Sequence, residues 1–269
     1  MNTETYLAKR EKKVTKANEL IQKSRFSLSK QQQRIVLYLI SQIEQHDKDF
    51  KLYTFDIIEF CKICGIELGG GKTYNELKEA LKEISDKSLW ITLPDERETL
   101  VRWIEKPYIE PKRGTISIKL DADMKPYLLQ LKQNFTSYEL IYTLHFKSQY
   151  SIRLYELVRS IHYHEMDILT ITYSVDELRK RMGAENKSSK VYSNFKNRAL
   201  LPAIEEINAY SDKIISFKED KRGHGKAITH IIFTIRTKEP IERLKVRAKI
   251  DQEMGTDGQM TLWERAVDR

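Results

Sequence analysis

Tyr53-Thr54-Phe55-Asp56 and, about 120 residues on, Tyr173-Ser174-Val175-Asp176 each open a predicted helix, and each helix closes on a glycine, Gly65 or Gly183. A second pair follows in the same order. Tyr74-Asn75-Glu76-Leu77-Lys78 answers to Tyr192-Ser193-Asn194-Phe195-Lys196, and each opens a longer helix. After both helices the apolar period drops from 3.6 to 2. Ser88 to Thr92, Leu100 to Ile104 and Thr115 to Leu120 read as strands in the first copy, with turns at Pro94-Asp95 and Pro111 to Gly114. Lys213 to Lys218 and Ala227 to Arg236 read as strands in the second, joined through the polar turn Glu219 to Lys226. The offset is far longer than the roughly 20–50 residues of solenoid repeats, so the chain holds a duplicated domain. Helices followed by a small sheet with a basic loop describe the winged form of the helix-turn-helix. The expected fold is therefore α+β: two tandem winged-helix domains joined by a helical connector.

Working outward, residues 1–25 carry Lys9, Arg10, Lys12, Lys13, Lys16 and Lys23 among few apolar neighbours and read as a flexible, frayed basic arm. The first domain is expected over 26–130. Ser29 and Gln32 form a capping-box pattern ahead of Ile35, Val36, Leu39, Ile40 and Ile43 at helical spacing. A second helix is predicted from Tyr53 with Phe55, Ile58 and Ile63 on one face, and a third on Leu77, Leu81 and Ile84. Leu120 to Tyr150 holds Tyr127, Leu128, Leu131, Phe135, Ile141, Leu144 and Phe146 without the Gly, Ser and Pro density of a loose linker, so a packed helical connector is expected there. The second domain is expected over 131–240, and the charged stretch 241–269, with Gly255 and Gly258, reads as a mobile tail.

The composition is that of a globular chain: 269 residues, 40% hydrophobic and 32% charged. Forty-seven Lys and Arg against 39 Asp and Glu give a formal +8, which favours a polyanionic partner, nucleic acid before a membrane surface. No apolar run approaches the ~18 residues of a membrane span, and the first 25 residues lack a secretory apolar stretch. With only Cys61 and Cys64 present, the expected location is the cytoplasm.

Three local patterns suggest chemistry and fail on context. Gly71-Lys72-Thr73 resembles the end of a phosphate-binding loop, but Ile66 stands where another Gly is required and the preceding element reads as helix. Cys61-Lys62-Ile63-Cys64 has thiol-pair spacing but no second ligand pair, and it lies inside an amphipathic helix, so two buried, inert thiols are expected. His162-Tyr163-His164 resembles the metal-holding pair of rolling-circle nicking enzymes, yet it ends a helical run, Leu154, Leu157, Val158 and Ile161, where residues two apart diverge. Both histidines are read as exposed helix-end residues. No catalytic residue, metal or cofactor is assigned, and a metal-dependent nickase stays as the alternative from another class.

The positive signal is Lys187 to Lys226, where Lys187, Lys190, Lys196, Arg198, Lys213, Lys218, Lys221, Arg222 and Lys226 outnumber the acids nine to five. The order matters more than the excess. The bases and the amides Asn194 and Asn197 crowd the first turns of a helix starting near Lys190, and the acids Glu205 and Glu206 fall after Pro202. A recognition helix reads base edges with its N-terminal residues: Asn pairs with adenine, Arg with guanine, and the helix dipole draws phosphate. Leu200, Leu201, Ile204 and Ile207 carry the far half into the core, and Pro202 should kink or restart the helix between the two.

Phe135-Thr136-Ser137-Tyr138-Glu139-Leu140-Ile141-Tyr142, Ser148-Gln149-Tyr150-Ser151-Ile152-Arg153-Leu154-Tyr155-Glu156-Leu157 and Leu201-Pro202-Ala203-Ile204-Glu205-Glu206-Ile207-Asn208 resemble signatures of the initiator replication proteins of theta-replicating bacterial plasmids. The similarity runs from about Ser27 to Thr237. It implies a tandem winged-helix protein that binds double-stranded DNA, as monomers on direct repeats (iterons) of a plasmid origin and as dimers on an inverted repeat that represses its own gene. It also implies host replication initiator and helicase as partners. Plain transcriptional repression stays as a further alternative. By the resemblance, the base-reading helix matches Lys190 to Arg198, with Ser193, Asn194, Lys196, Asn197 and Arg198 facing DNA and Lys187 just ahead, and the wing matches Lys218 to Lys226 with Lys221 and Arg222. The first domain's equivalent helix supplies Lys72, Thr73, Asn75 and Lys78. Glu76, Glu79 and Glu83 make it less basic and direct it toward phosphate contact or dimerisation. Gln259-Met260-Thr261-Leu262-Trp263 is similar to the short peptide with which bacterial replication proteins bind the sliding clamp, so Gln259, Met260, Leu262 and Trp263 are candidate partner contacts. The competing reading is a terminal helix docking Leu262, Trp263 and Val267 on the body.

Overall fold

A computed structural model describes residues 8–66, 71–93, 95–163, 168–222 and 227–256. The frayed arm expected over 1–25 is corrected for Lys13 to Arg25, which form two strands and a helix. Strand β1 (Lys13–Ala17) pairs antiparallel with Phe135–Glu139, from Lys13 opposite Glu139 to Ala17 opposite Phe135. Val14 and Lys16, two apart on one face, are both buried. A lysine can lie there because its Nζ meets Glu156 Oε1 at 2.6 Å, a countercharge far along the chain. Helix α1 (Asn18–Lys23) buries Leu20 and Ile21, and β2 (Ser24–Arg25) joins the first domain's sheet.

Helix α2 (Lys30–Ile40) begins with the predicted capping box: Gln32 N–H donates to Ser29 Oγ at 3.3 Å and Ser29 N–H to Gln32 Oε1 at 3.0 Å. The helix expected from Tyr53 starts four residues later. Tyr53–Asp56 is strand β3, with alternating burial and a partner in Thr115–Ile118, and Asp56 then caps α3 (Ile57–Cys64) by accepting from Glu59 N–H at 2.9 Å. Helix α4 (Gly71–Asp86) turns Leu77, Leu81 and Ile84 inward. Strands β4 (Ser88–Thr92) and β5 (Glu98–Arg102) complete a sheet of order β2-β4-β5. Strands β6 (Tyr108–Glu110) and β7 (Thr115–Ile118) form a second, of order β3-β7-β6. Ile104 and Leu120, expected at strand ends, meet in a single bridge.

The connector is not helical throughout. A 3-10 turn and the short α5 (Lys125–Leu128) lead to β8 (Phe135–Glu139), and the short α6 (Leu140–Leu144) follows. The segment Phe135-Thr136-Ser137-Tyr138-Glu139 alternates, burying Thr136 and Tyr138, and β1 gives it a ladder to join. Helix α7 (Gln149–Ile161) is buried along most of its length and runs between the two halves, touching α1 on one side and the helix at Leu201–Tyr210 on the other.

In the second half, β9 (Leu169–Ser174) leads into α8 (Val175–Arg181), α9 (Tyr192–Phe195), α10 (Leu201–Tyr210), β10 (Lys213–Asp220) and β11 (His230–Thr237), with sheet order β10-β11-β9. The duplication holds, with one adjustment of register. Asp56 and Ser174 cap equivalent helices, Gly65 and Gly183 end them in the left-handed region (φ 69° and 68°), and Tyr74, in the first turn of α4, corresponds to Tyr192, the first residue of its helix; all three pairs stand 118 residues apart. The tetrapeptide match therefore belongs two residues along, Asp56 with Ser174. Ile57 N–H to the Gly114 carbonyl and Val175 N–H to the Thr229 carbonyl, both 2.9 Å, make the same tie from helix to wing in each copy.

The halves are clamped by Arg153, a buried residue of α7. Its Nη2 donates to the carbonyls of Arg181 at 2.9 Å and Ser24 at 3.4 Å, and its guanidinium lies 4.2 Å from the Phe26 ring centre. The expected mobile tail is corrected as far as Thr256. Helix α11 (Pro240–Thr256) buries Val246 and Ile250, accepts the Tyr210 hydroxyl at Glu253 (2.9 Å) and pairs Arg247 with Glu139. Its charge misled the sequence reading, because the few apolar positions it needs are spaced by one turn.

Candidate nucleic-acid interface

The helix expected to carry base readout is continuous from Tyr192 to Tyr210, with a π-turn at Lys196–Leu200 just before Pro202. Proline has no N–H to give and its ring crowds the carbonyl four residues back. The wider turn absorbs this, with Leu201 N–H reaching the Lys196 carbonyl five residues back. Pro202 thus widens the helix rather than restarting it. Phe195, Ala199, Leu200, Ala203, Ile204 and Ile207 bury one side, and Ser193, Asn197 and Arg198 stay exposed on the other, with Lys187 and Lys190 exposed on the 3-10 turn ahead.

Two predicted readers have other partners in the protein. Asn194 Nδ2 donates to the Ser188 carbonyl at 3.0 Å, closing the turn that leads into the helix. Lys196 Nζ lies 2.6 Å from Glu219 Oε1, which also accepts from the Tyr192 hydroxyl at 2.7 Å. The Lys196 hydrogen bond, with that of Tyr192, holds the Glu219 carboxyl below the ordinary range. These bonds fasten the helix to β10 and set the angle between helix and wing. Asn197 and Arg198 have no such partner among the described residues, so they are the amide and guanidinium most available to a ligand. On the wing, Lys218, Lys221 and Arg222 are exposed; Arg222 Nε reaches Asp220 at 2.9 Å and its backbone N–H donates to Thr229 Oγ1 at 3.0 Å. Lys226 lies outside the described residues.

In the first domain Asn75 and Lys78 are exposed on α4, next to Glu79, whose carboxylate lies 4.0 Å from Lys82. Lys72 and Thr73 open that helix, and their side chains lie outside the described residues. The first domain also has a basic wing, which the sequence pattern marks only as a turn. The β6–β7 turn carries Lys112 and Arg113, exposed and tied to α3 as the second wing is tied to α8. The signal was present as Pro111-Lys112-Arg113-Gly114, read only as a turn.

The remaining patterns resolve structurally. Cys61 and Cys64 are buried free thiols; burial pushes Cys61 up to about 11 and Cys64 well above the usual value, as expected of inert cysteines. His162, expected at the surface, is 3% exposed: the chain folds under the wing sheet after α7 and sets its Nδ1 3.2 Å from the buried Lys213 Nζ. A ring nitrogen against an ammonium is poorly placed to hold a cation. His164, residues 67–70 and the segment Gln259 to Trp263 lie outside the described residues.

Comparison with known proteins follows these outlines. The family model for "Initiator Replication protein, WH1" matches residues 13–159, and that for "Initiator Rep protein, WH2" matches 174–235. A replication initiation protein of Escherichia coli is 26% identical over 222 residues, 78% of this chain and 66% of that protein. The PI protein of Escherichia coli is 27% identical over 174 residues, 60% of this chain and 51% of its own length. The chain thus matches about two thirds of one of these relatives and half of the other. A crystal structure of Pi initiator protein in complex with iteron DNA shares the fold, with a TM-score of 0.64 at 20% identity over 86% of this chain and 99% of that one. Because the first model alone covers more than half of the residues and the second takes up the repeat behind it, the chain belongs to the initiator replication protein family, built as two winged-helix domains in tandem.

Proposed function

We propose that this protein initiates replication of a bacterial plasmid by binding iteron repeats in duplex origin DNA, without a catalytic step of its own. The observation that carries the reading is the exposed side of the helix at Ser193, Asn197 and Arg198, flanked by Lys187 and Lys190 of the turn ahead and by Lys218, Lys221 and Arg222 of the wing. Cations in the flanks suit phosphates, and a guanidinium and an amide between them suit base edges. Family membership and the iteron complex of the Pi structure support the same ligand class. The first domain adds phosphate contacts through Lys78 and the Lys112-Arg113 wing. Self-association on an inverted repeat would make the protein its own repressor, and host initiator and helicase are the partners that an opened origin requires. Gln259, Met260, Leu262 and Trp263 would engage the sliding clamp, and all of this takes place in the bacterial cytoplasm.

The experiment is a mobility-shift titration of the full chain against fragments of its own replicon, repeated across a salt series. One fragment, next to its own gene, is retained in preference to the rest. If Lys187, Lys190, Lys218, Lys221 and Arg222 of the second domain and Lys78, Lys112 and Arg113 of the first each neutralise a phosphate, log K falls against log salt with a slope of about −7. Equal retention of every fragment defeats the reading.

A further inference from the structure

The base-reading helix lacks a feature that four other helices of this chain share. Ser29, Asp56, Ser148 and Ser174 each cap a helix with a side-chain oxygen, whereas the helix at Tyr192 begins on Val191, which accepts Asn194 and Phe195 N–H at its carbonyl but offers no side-chain cap. Valine is among the poorest residues at that position. Its side chain is also 57% exposed, between exposed Lys190 and exposed Ser193. Lone apolar residues are ordinary on a protein surface. Val191 differs because a local preference for Ser, Asp or Asn is given up, with no packing gained, at the edge of the proposed DNA-facing surface. Such departures mark positions held by function.

We propose that Val191 is a specificity-determining residue that packs against the C5-methyl group of a thymine in the major groove. The inference rests on the DNA-binding reading above and deepens it. Val191 has no donor or acceptor in its side chain, so the hydrogen-bonding edges of guanine, cytosine and adenine give it nothing to select. Thymine alone among the four bases presents an apolar group in that groove. Val191 stands at the N-cap, directly ahead of the helix whose exposed side carries Ser193, Asn197 and Arg198. The apolar contact therefore lies at the leading edge of the surface on which Arg198, about two turns further on and without a partner among the described residues, can read a guanine of the same site.

The test uses the full chain and duplexes recovered with it from a randomised library, each thymine of the selected site then being replaced singly by deoxyuridine, which lacks only the methyl group. One replacement should weaken wild-type binding about fourfold, the cost of one buried methyl returned to water. Val191→Ser should bind the thymine duplex as weakly as wild type binds the deoxyuridine one, should show no difference between the two, and should melt at a higher temperature because it restores a cap. Wild-type indifference to every replacement, with Arg198→Ala still losing sequence preference, would overturn the inference and leave the DNA-binding reading standing. A Val191→Ser loss that is the same size on both duplexes, on top of an intact methyl effect, would also overturn it, since the methyl would then be read by another residue. Recovery of no preferred duplex would remove both the reading and the inference.

Discussion

Replacing Glu156 by glutamine isolates the charge that seats the N-terminal strand. Glu156 Oε1 lies 2.6 Å from Lys16 Nζ and accepts the Tyr138 hydroxyl at 2.5 Å, and the Lys16 and Glu156 side chains are only 4% and 2% exposed. Burial pulls the Lys16 ammonium below its ordinary range and Glu156 pulls it back. Glutamine keeps an acceptor for Tyr138 but leaves Lys16 in the interior without its countercharge, a loss of about 3–5 kcal/mol. Set against a total stability of about 5–15 kcal/mol, that is a large share. Lys16→Met combined with Glu156→Gln removes both charges while keeping the Tyr138 bond, and should return to within about 1–2 kcal/mol of wild type, because neutralising a buried pair costs far less than halving it. Urea unfolding followed by circular dichroism measures all three proteins. A Glu156→Gln penalty under about 1 kcal/mol would refute the argument and return residues 13–17 to the loose arm that their charge suggests.

Other perturbations test other joints. Arg198→Ala should cost about 1–3 kcal/mol at one base pair of the site, whereas Lys221→Ala should weaken binding to all sequences alike and reduce the salt slope by about 1, both read by titration against specific and random duplexes. His145 is held down to about 4, against an ordinary 6.5, chiefly by burial and then by nearby Arg10. The unfolded chain therefore takes up this proton first as pH falls, so stability should decline between about pH 6.5 and 4, by about 3 kcal/mol, and His145→Gln should flatten that stretch in urea titrations at fixed pH values. Ile250→Ala should cost about 2–4 kcal/mol in the same assay, because α11 is seated by that fully buried side chain; an effect under 0.5 kcal/mol would make the helix an appendage.

The sequence was legible where its signals are local. Ser29 with Gln32, the glycines at 65 and 183, and the period change after Asp86 all depend on neighbours within a few residues, and each stands in the structure as read. It misled where a segment's partner is distant. Lys13–Ala17 looks like a solvated arm until Glu156 and β8 are placed against it, and Phe135–Glu139 looks helical only while its neighbours are read without β1. Within the interface, residue type chose the right surface but could not show that Asn194 and Lys196 are engaged by Ser188 and Glu219. It also assigned the exposed position to His162, whose burial follows from how the chain turns beneath β10 and β11.

Whether the second winged helix reads repeated sites in duplex DNA from the major groove is decided by methylation-protection footprinting of the full chain on the DNA beside its own gene. Several equally spaced blocks of protection are expected, each with a guanine N7 shielded by wild type and exposed again with Arg198→Ala. Protection that is uniform along the DNA, or blocks that Arg198→Ala leaves unchanged, would contradict that reading.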